Sequence, residues 1–232
     1  MELFKGVVFD CDGVLVDTEP LSMQVTQKAI AALGWHPPIA EMYQLFLGCS
    51  KEYLQEVVED KTGLKLERDW LASYRAFRND LFRRELKEIP GISFALERID
   101  LPIALASNSS HAHIKLALEI VGLYPTFQQH ISSAEDVPRG KPAPDVYLHA
   151  ARQLGLEPAE CIAIDDSRAG VRSAMAAGMH VLAYETSLAP QGSFADLDVK
   201  TFNDMRDLPG LVSDLNHVRT KSHSHARSSV NT

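Results

Sequence analysis

With 232 residues, 45% hydrophobic and 23% charged, the chain is long enough to bury one sizeable core plus a smaller accessory unit, and its composition is not that of a disordered segment. No stretch approaches the roughly 18 apolar residues of a membrane span, and Met1-Glu2-Leu3-Phe4-Lys5 leads into a strand-like run rather than a signal peptide, so a soluble, cytoplasmic protein with no membrane partner is expected. A formal net charge of -8 argues against nucleic acid or anionic lipid as partner, and any anionic ligand must meet positive charge supplied locally.

The first apolar run, residues 3–10, reads as a buried strand. From 18 to 88 the pattern changes to helical spacing with no convincing strand. Tyr74, Phe77, Leu81 and Phe82 fall three or four apart and predict one amphipathic helix over 68–86. Ile89-Pro90-Gly91 then marks a turn back into alternating structure. Strands are expected at 101–108, 160–166 and 179–185, with a weaker one at 130–133. Helices are expected at 111–121, 145–154 and 168–177. This alternation predicts an α/β fold, a doubly wound and mostly parallel sheet whose ligands sit beyond the carboxyl ends of the strands. The expected organisation is a core from residues 1–17 and 89–215, a helical cap over 18–88, and a disordered polar tail over 216–232. Cys11, Cys49 and Cys161 form no Cys-x-x-Cys pair, which fits a reducing compartment. Beside Asp10, strand alternation turns Cys11 toward the opposite face and predicts a buried core thiol.

Val7-Val8-Phe9 runs into Asp10-Cys11-Asp12-Gly13, and residues two apart in extended chain share a face, so Asp10 and Asp12 can point together. Ile162-Ala163-Ile164 likewise runs into Asp165-Asp166. If both ends lie on one sheet edge, four carboxylates crowd a small site that needs a cation. A hard divalent ion, Mg²⁺, suits oxygen ligands and leaves room for water and phosphate. A calcium loop is excluded, because its Gly belongs at the sixth position and its Glu at the twelfth; here Gly13 is fourth and Leu21 twelfth. Either acidic pair taken alone also suits a helix cap. Ser107-Asn108-Ser109-Ser110 could cradle phosphate oxygens at a helix start, or simply cap it. Lys141 stands in a turn stiffened by Pro142 and Pro144. His111-x-His113 lacks the convergent third ligand of a zinc site.

Taken in order, Asp10-x-Asp12-Gly13-Val14, Ser107, Lys141-Pro142 and Asp165-Asp166 resemble the four motifs of the haloacid dehalogenase superfamily. Asp17-Thr18-Glu19-Pro20-Leu21 and Gly170-Val171-Arg172-Ser173-Ala174 extend the resemblance to the helical-cap branch, which contains β-phosphoglucomutase and sugar-phosphate phosphatases such as bacterial 6-phosphogluconate phosphatase. The resemblance implies that Asp10 is the nucleophile, giving an aspartyl-phosphate, and Asp12 the general acid and base. It implies phosphate contacts from Ser107, Asn108 and Lys141, and Mg²⁺ held by Asp10, the Asp12 main-chain carbonyl and the Asp165/Asp166 pair. The expected function is hydrolysis of a small phosphorylated metabolite, a sugar phosphate or sugar-acid phosphate, by a monomer or weak homodimer. Substrate contacts are expected from Glu19, Gly48, Ser50 and Lys51; Arg75 and Arg78 could face either the site or solvent. Ser22 stands where the mutases carry a His, which weakens the phosphomutase alternative, and Asp12 argues against dehalogenase chemistry. A phospho-acceptor signalling module would carry no large helical insertion.

Overall fold

The computed structural model describes residues 3–47, 49–189 and 192–217. Among them, six short strands form one sheet: β1 (Gly6–Phe9), β2 (Ile103–Ser107), β3 (Ile131–Ser133), β4 (Cys161–Asp165), β5 (His180–Tyr184) and β6 (Lys200–Phe202). All neighbouring pairs are parallel and the order is β3-β2-β1-β4-β5-β6, so the expected doubly wound α/β architecture is what the chain adopts. The strands read as unbroken apolar runs because both faces are covered. Side-chain alternation sends Val7 and Phe9 to one face, where α6 (His111–Ile120) contributes Ile114 and Leu118. Val8 goes to the other, against Tyr147 and Ala150 of α8 (Asp145–Gln153) and Val171 and Ala174 of α9 (Arg168–Ala176). Cys11 is fully buried in the first of these clusters, as its place in the alternation predicted.

Residues 19–85 carry α1 (Glu19–Ala32), α2 (Ile39–Phe46), α3 (Lys51–Thr62) and α4 (Arg75–Glu85), with no strand among the described residues. They hold a third apolar cluster of their own, built on Met23, Ile30, Met42, Phe46, Leu54 and Val58. Leu21 and Val25 of α1 and Leu81 and Phe82 of α4 pack instead into the first sheet-face cluster, which ties the insertion to the core. The helix expected over 68–86 begins as a 3₁₀ turn, Trp70–Tyr74, before α4. Trp70 and Leu71 pack on the insertion's own cluster whereas Tyr74 and Phe77 pack on the core cluster, so the backbone must change direction between them. The two connections to the insertion run side by side: Val16 bridges Glu88 antiparallel, Asp17 N donates to Lys87 O at 3.0 Å and Ile89 N to Leu15 O at 3.0 Å.

Two further helices, α5 (Ile92–Leu96, preceding β2) and α7 (Tyr124–Phe127, following α6), are short packing elements. β6 escapes sequence reading because it is a three-residue edge strand with Lys200 and Thr201 exposed. Residues 208–217 are helical, and Asn216 brackets Phe4, accepting from its N–H at 2.7 Å. Of the expected tail, residues 218–232 lie outside the described residues. No described helix is long and apolar enough to cross a membrane.

Candidate active site

β1 and β4 are hydrogen-bonded neighbours with Phe9 opposite Ile164, and the strand order reverses direction between them. Such a switch point opens a crevice at the carboxyl ends of the strands. Asp10 follows β1 and Asp165 closes β4, so both carboxylates come out on that edge, and Asp10 N is pinned to Ile164 O at 2.9 Å. Asp10, Asp165 and Asp166 each offer an oxygen within 4.8 Å of the others. Gly13, at φ 82°, lets the chain turn over Asp166, where any Cβ would collide with that carboxylate. Gly170 likewise clears room for the Asp165 carboxylate.

Three acids this close cannot all ionise without counter-charge. Burial raises the Asp10 carboxyl to about 7, Lys141 opposes, and Asp165 adds to the rise. Burial and then the Asp165 and Asp10 charges push Asp166 well above the carboxylate range. Lys141 Nζ stands 2.7 Å from Asp10 Oδ1 and 2.7 Å from Asp165 Oδ2. Asn108 fixes that lysine through its main chain, its Oδ1 accepting from Lys141 N at 2.7 Å and its Nδ2 donating to Lys141 O at 3.0 Å. Ser107 is buried at the end of β2, and its Oγ accepts from Ser109 N at 3.0 Å. The metal-donor atoms that Asp10, Asp165 and Asp166 offer are all carboxylate oxygens, a set that fits a hard divalent cation such as Mg²⁺.

Asp165 is saturated with donors. Oδ2 accepts from Lys141 Nζ at 2.7 Å and from the Tyr147 hydroxyl at 2.6 Å, while Oδ1 accepts from Ser167 N at 2.9 Å and Ser167 Oγ at 2.8 Å. Tyr147 reads in the sequence as an ordinary core position of α8, and nothing in its spacing announces this contact. Tyr147→Phe is expected to lower unfolding stability by about 1.5–3 kcal/mol, the worth of a hydrogen bond to a charged group. Chemical denaturation measures it, and a variant as stable as the parent would show the hydroxyl to be idle.

Asp12 has a different environment. Thr18 Oγ1 donates to its Oδ1 at 2.9 Å, Ser109 Oγ to its Oδ2 at 2.8 Å, and His113 Nε2 lies 2.9 Å from Oδ1. Burial alone would raise this carboxyl, but the His113 contact and charge, with the two hydroxyls, hold it at about 2. The spacing of His111-x-His113 suggests at most an incomplete metal site. The structure separates the two: His111 Nε2 meets Asp136, 2.9 Å from either oxygen, and His113 meets Asp12.

Asp10, Asp12, Ser107, Asn108, Ser109, Lys141 and Asp166 line a cleft of about 1090 Å³ that also takes in Asp17, Thr18, Glu19 and Leu47. Of the expected substrate contacts, Glu19 borders this cleft, and burial followed by the Asp12 and Asp17 charges raises its carboxyl. Ser50 and Lys51 line a neighbouring hollow of about 110 Å³, shared with Glu19, where Ser50 also caps α3 by accepting from Tyr53 N at 3.2 Å. Gly48 lies outside the described residues. Arg75 is exposed, whereas Arg78 is half-buried and within the field of Asp12.

Comparison with known proteins agrees with this geometry. A family model described as haloacid dehalogenase-like hydrolase matches residues 4–178. The 6-phosphogluconate phosphatase of Escherichia coli (strain K12) is 29% identical over 212 residues, 91% of this chain and 96% of that one. A conserved haloacid dehalogenase-like protein from Agrobacterium tumefaciens has a crystal structure that matches with a TM-score of 0.81 at 33% identity, covering 91% of this chain and 99% of that one. A HAD family hydrolase from Deinococcus radiodurans R1, crystallised with bound phosphate and sodium, matches with a TM-score of 0.77 at 27% identity, covering 91% and 96% respectively.

Proposed function

The chain belongs to the haloacid dehalogenase-like hydrolase family, and from that premise we propose that it is a Mg²⁺-dependent phosphomonoesterase acting on a small sugar phosphate or sugar-acid phosphate through an aspartyl-phosphate. The observation that carries this reading is the meeting of Asp10, Asp165 and Asp166 at two adjacent strand ends, with Lys141 bonded between two of them. Mg²⁺, when bound, supplies the concentrated positive charge that lets these carboxylates stay ionised beside a phosphate dianion. Asp10, Asp166 and the Asp12 main-chain carbonyl would hold it. The four donors already on Asp165 support Asp166 as the more direct ligand of the pair.

Asp10 attacks phosphorus in line and forms the acyl phosphate as the bond to the leaving oxygen breaks. Lys141, the Ser107 hydroxyl and the Asn108 main-chain N–H take the charge that spreads over the phosphoryl oxygens. Asp12 gives a proton to the departing alkoxide and then removes one from the water that hydrolyses the intermediate. Held at about 2, Asp12 is stored in its ionised, proton-accepting form. Acting first as an acid therefore requires substrate to displace one of its donors. Residues 18–88 serve as a cap domain hinged at the paired connections of Val16 and Glu88, closing over the cleft and contributing Glu19, Ser50 and Lys51 to specificity. Three free cysteines fit a reducing cytoplasm.

A panel of phosphorylated metabolites assayed for inorganic phosphate tests the reading. Turnover of sugar or sugar-acid phosphates, abolished by EDTA and restored by Mg²⁺, is the expected result. Conversion of β-glucose 1-phosphate to glucose 6-phosphate without phosphate release would replace it with the mutase.

A pH dependence follows from Asp10. Its folded-state value, about 7, lies above its ordinary 3.8, so the stability linked to it is full below 3.8 and is lost as pH rises through 7. Mg²⁺ needs the ionised ligand, so its stabilising effect grows over the same interval. The melting temperature should rise several degrees more with Mg²⁺ at pH 8 than at pH 5.5. An equal shift at both values would contradict the role given to Asp10.

A further inference from the structure

His113 is half of a contact that the proposed chemistry has not used. Three donors hold the Asp12 carboxylate, and they differ in what supports them. Thr18 stands at the mouth of the insertion, next to the paired hinge connections, and Ser109 belongs to the turn after β2 that would receive the phosphoryl group. His113 is carried by α6, a helix capped by Ser110 and packed on the sheet through Ile114 and Leu118, so it stays with the core. Its side chain is 11% exposed. Its ring packs in a T-shaped pair with the Phe82 ring of α4, with centroids 5.7 Å apart and planes at 70°. The imidazole is thereby wedged between the insertion and the carboxylate it touches.

We propose that His113 is a positioning residue for the second half-reaction: its Nε2–H holds Asp12 Oδ1 in the orientation from which that carboxylate removes a proton from the hydrolytic water. The proposal rests on the aspartyl-phosphate reading. In the step itself, water oxygen forms a bond to phosphorus, the bond from phosphorus to Asp10 Oδ breaks and regenerates the carboxylate, and the water proton passes to Asp12. His113 exchanges no atom; it fixes a rotamer. An error of about 1 Å in such a group is enough to slow a step by roughly 100-fold.

The test is pre-steady-state and steady-state turnover of p-nitrophenyl phosphate by the full chain with Mg²⁺. Nitrophenolate leaves without help from an acid, so kcat/KM reports phosphoryl transfer to Asp10 and kcat comes to report hydrolysis of the intermediate. His113→Ala is expected to lower kcat about 10- to 100-fold, to lower KM in parallel so that kcat/KM is little changed, and to show a burst of about one equivalent of nitrophenolate. His113→Gln, whose amide nitrogen reaches where Nε2 sits, should recover most of kcat; His113→Asn, too short to reach, should not. These two carry the comparison if the alanine variant melts too low to assay. A fall in kcat/KM equal to that in kcat with no burst, or an unchanged kcat, overturns the proposal. Asp10→Asn is run alongside: if that variant still turns over, the parent reading has failed rather than the role of His113.

Discussion

Asp10→Asn is expected to lower phosphatase turnover on the order of 10⁴-fold or more, the scale on which enzymes lose rate when a nucleophile is removed, while leaving the metal-free protein at least as stable at pH 8. The two halves of that expectation come from one fact. Asp10 is 7% exposed, and burial with its acidic neighbours raises it to about 7, so above that pH its charge opposes folding. An amide removes the charge and keeps the shape. Lys141 keeps its second partner, Asp165, at 2.7 Å. Thermal melts and phosphate-release assays on the same preparation separate chemistry from scaffold. A variant that loses stability and activity together would mean that Asp10 is a structural acid, and Mg²⁺ should stabilise the variant less than the parent.

Lys141→Met should combine a comparable chemical loss with a structural one. The Lys141 side chain is 3% exposed and its ammonium lies 2.7 Å from each of two carboxylates, so removing it takes away a transition-state cation and leaves buried negative charge uncompensated. The expected cost is about 10²–10³ in kcat and about 3–5 kcal/mol in stability. Lys141 lowers the Asp10 carboxyl; without it the value moves higher still, so the stability deficit should be larger at pH 8 than at pH 5. Lys141→Arg is not expected to rescue, because a planar guanidinium does not reproduce a compact ammonium held 2.7 Å from each of two carboxylates. Denaturant melts at the two pH values give the comparison, and a variant as stable as the parent at pH 8 would argue that the carboxylates are already neutral.

What could be read from the sequence and what could not divide on physical lines. Strands buried on both faces tolerate few polar side chains, so Asp10 and the Asp165-Asp166 pair stand out at the ends of apolar runs, whereas their meeting on one edge follows from the pairing of β1 with β4. β6 could not be seen, because a three-residue edge strand with Lys200 and Thr201 exposed has no apolar run to announce it. The 3₁₀ turn at Trp70–Tyr74 was hidden for another reason: the helical period persists through it, and only the split of its neighbours between two clusters bends the chain. At the site, the acids were legible and their company was not. Asp12 meets Ser109 and His113 across 97 and 101 residues, and Asp165 meets Tyr147 across 18, at spacings that no local pattern encodes. Arg75 and Arg78, three apart on one helix, could be separated only once the packing of α4 was known.

Chemical trapping of the intermediate tests the central assignment most directly. The full chain is mixed with substrate and Mg²⁺, quenched in acid, reduced with borohydride, which converts an acyl phosphate to an alcohol, and read by peptide mass spectrometry. The mechanism predicts homoserine at position 10, with unreduced aspartate at positions 12, 165 and 166. Reduction at any of those three, or at none while turnover proceeds, would contradict it.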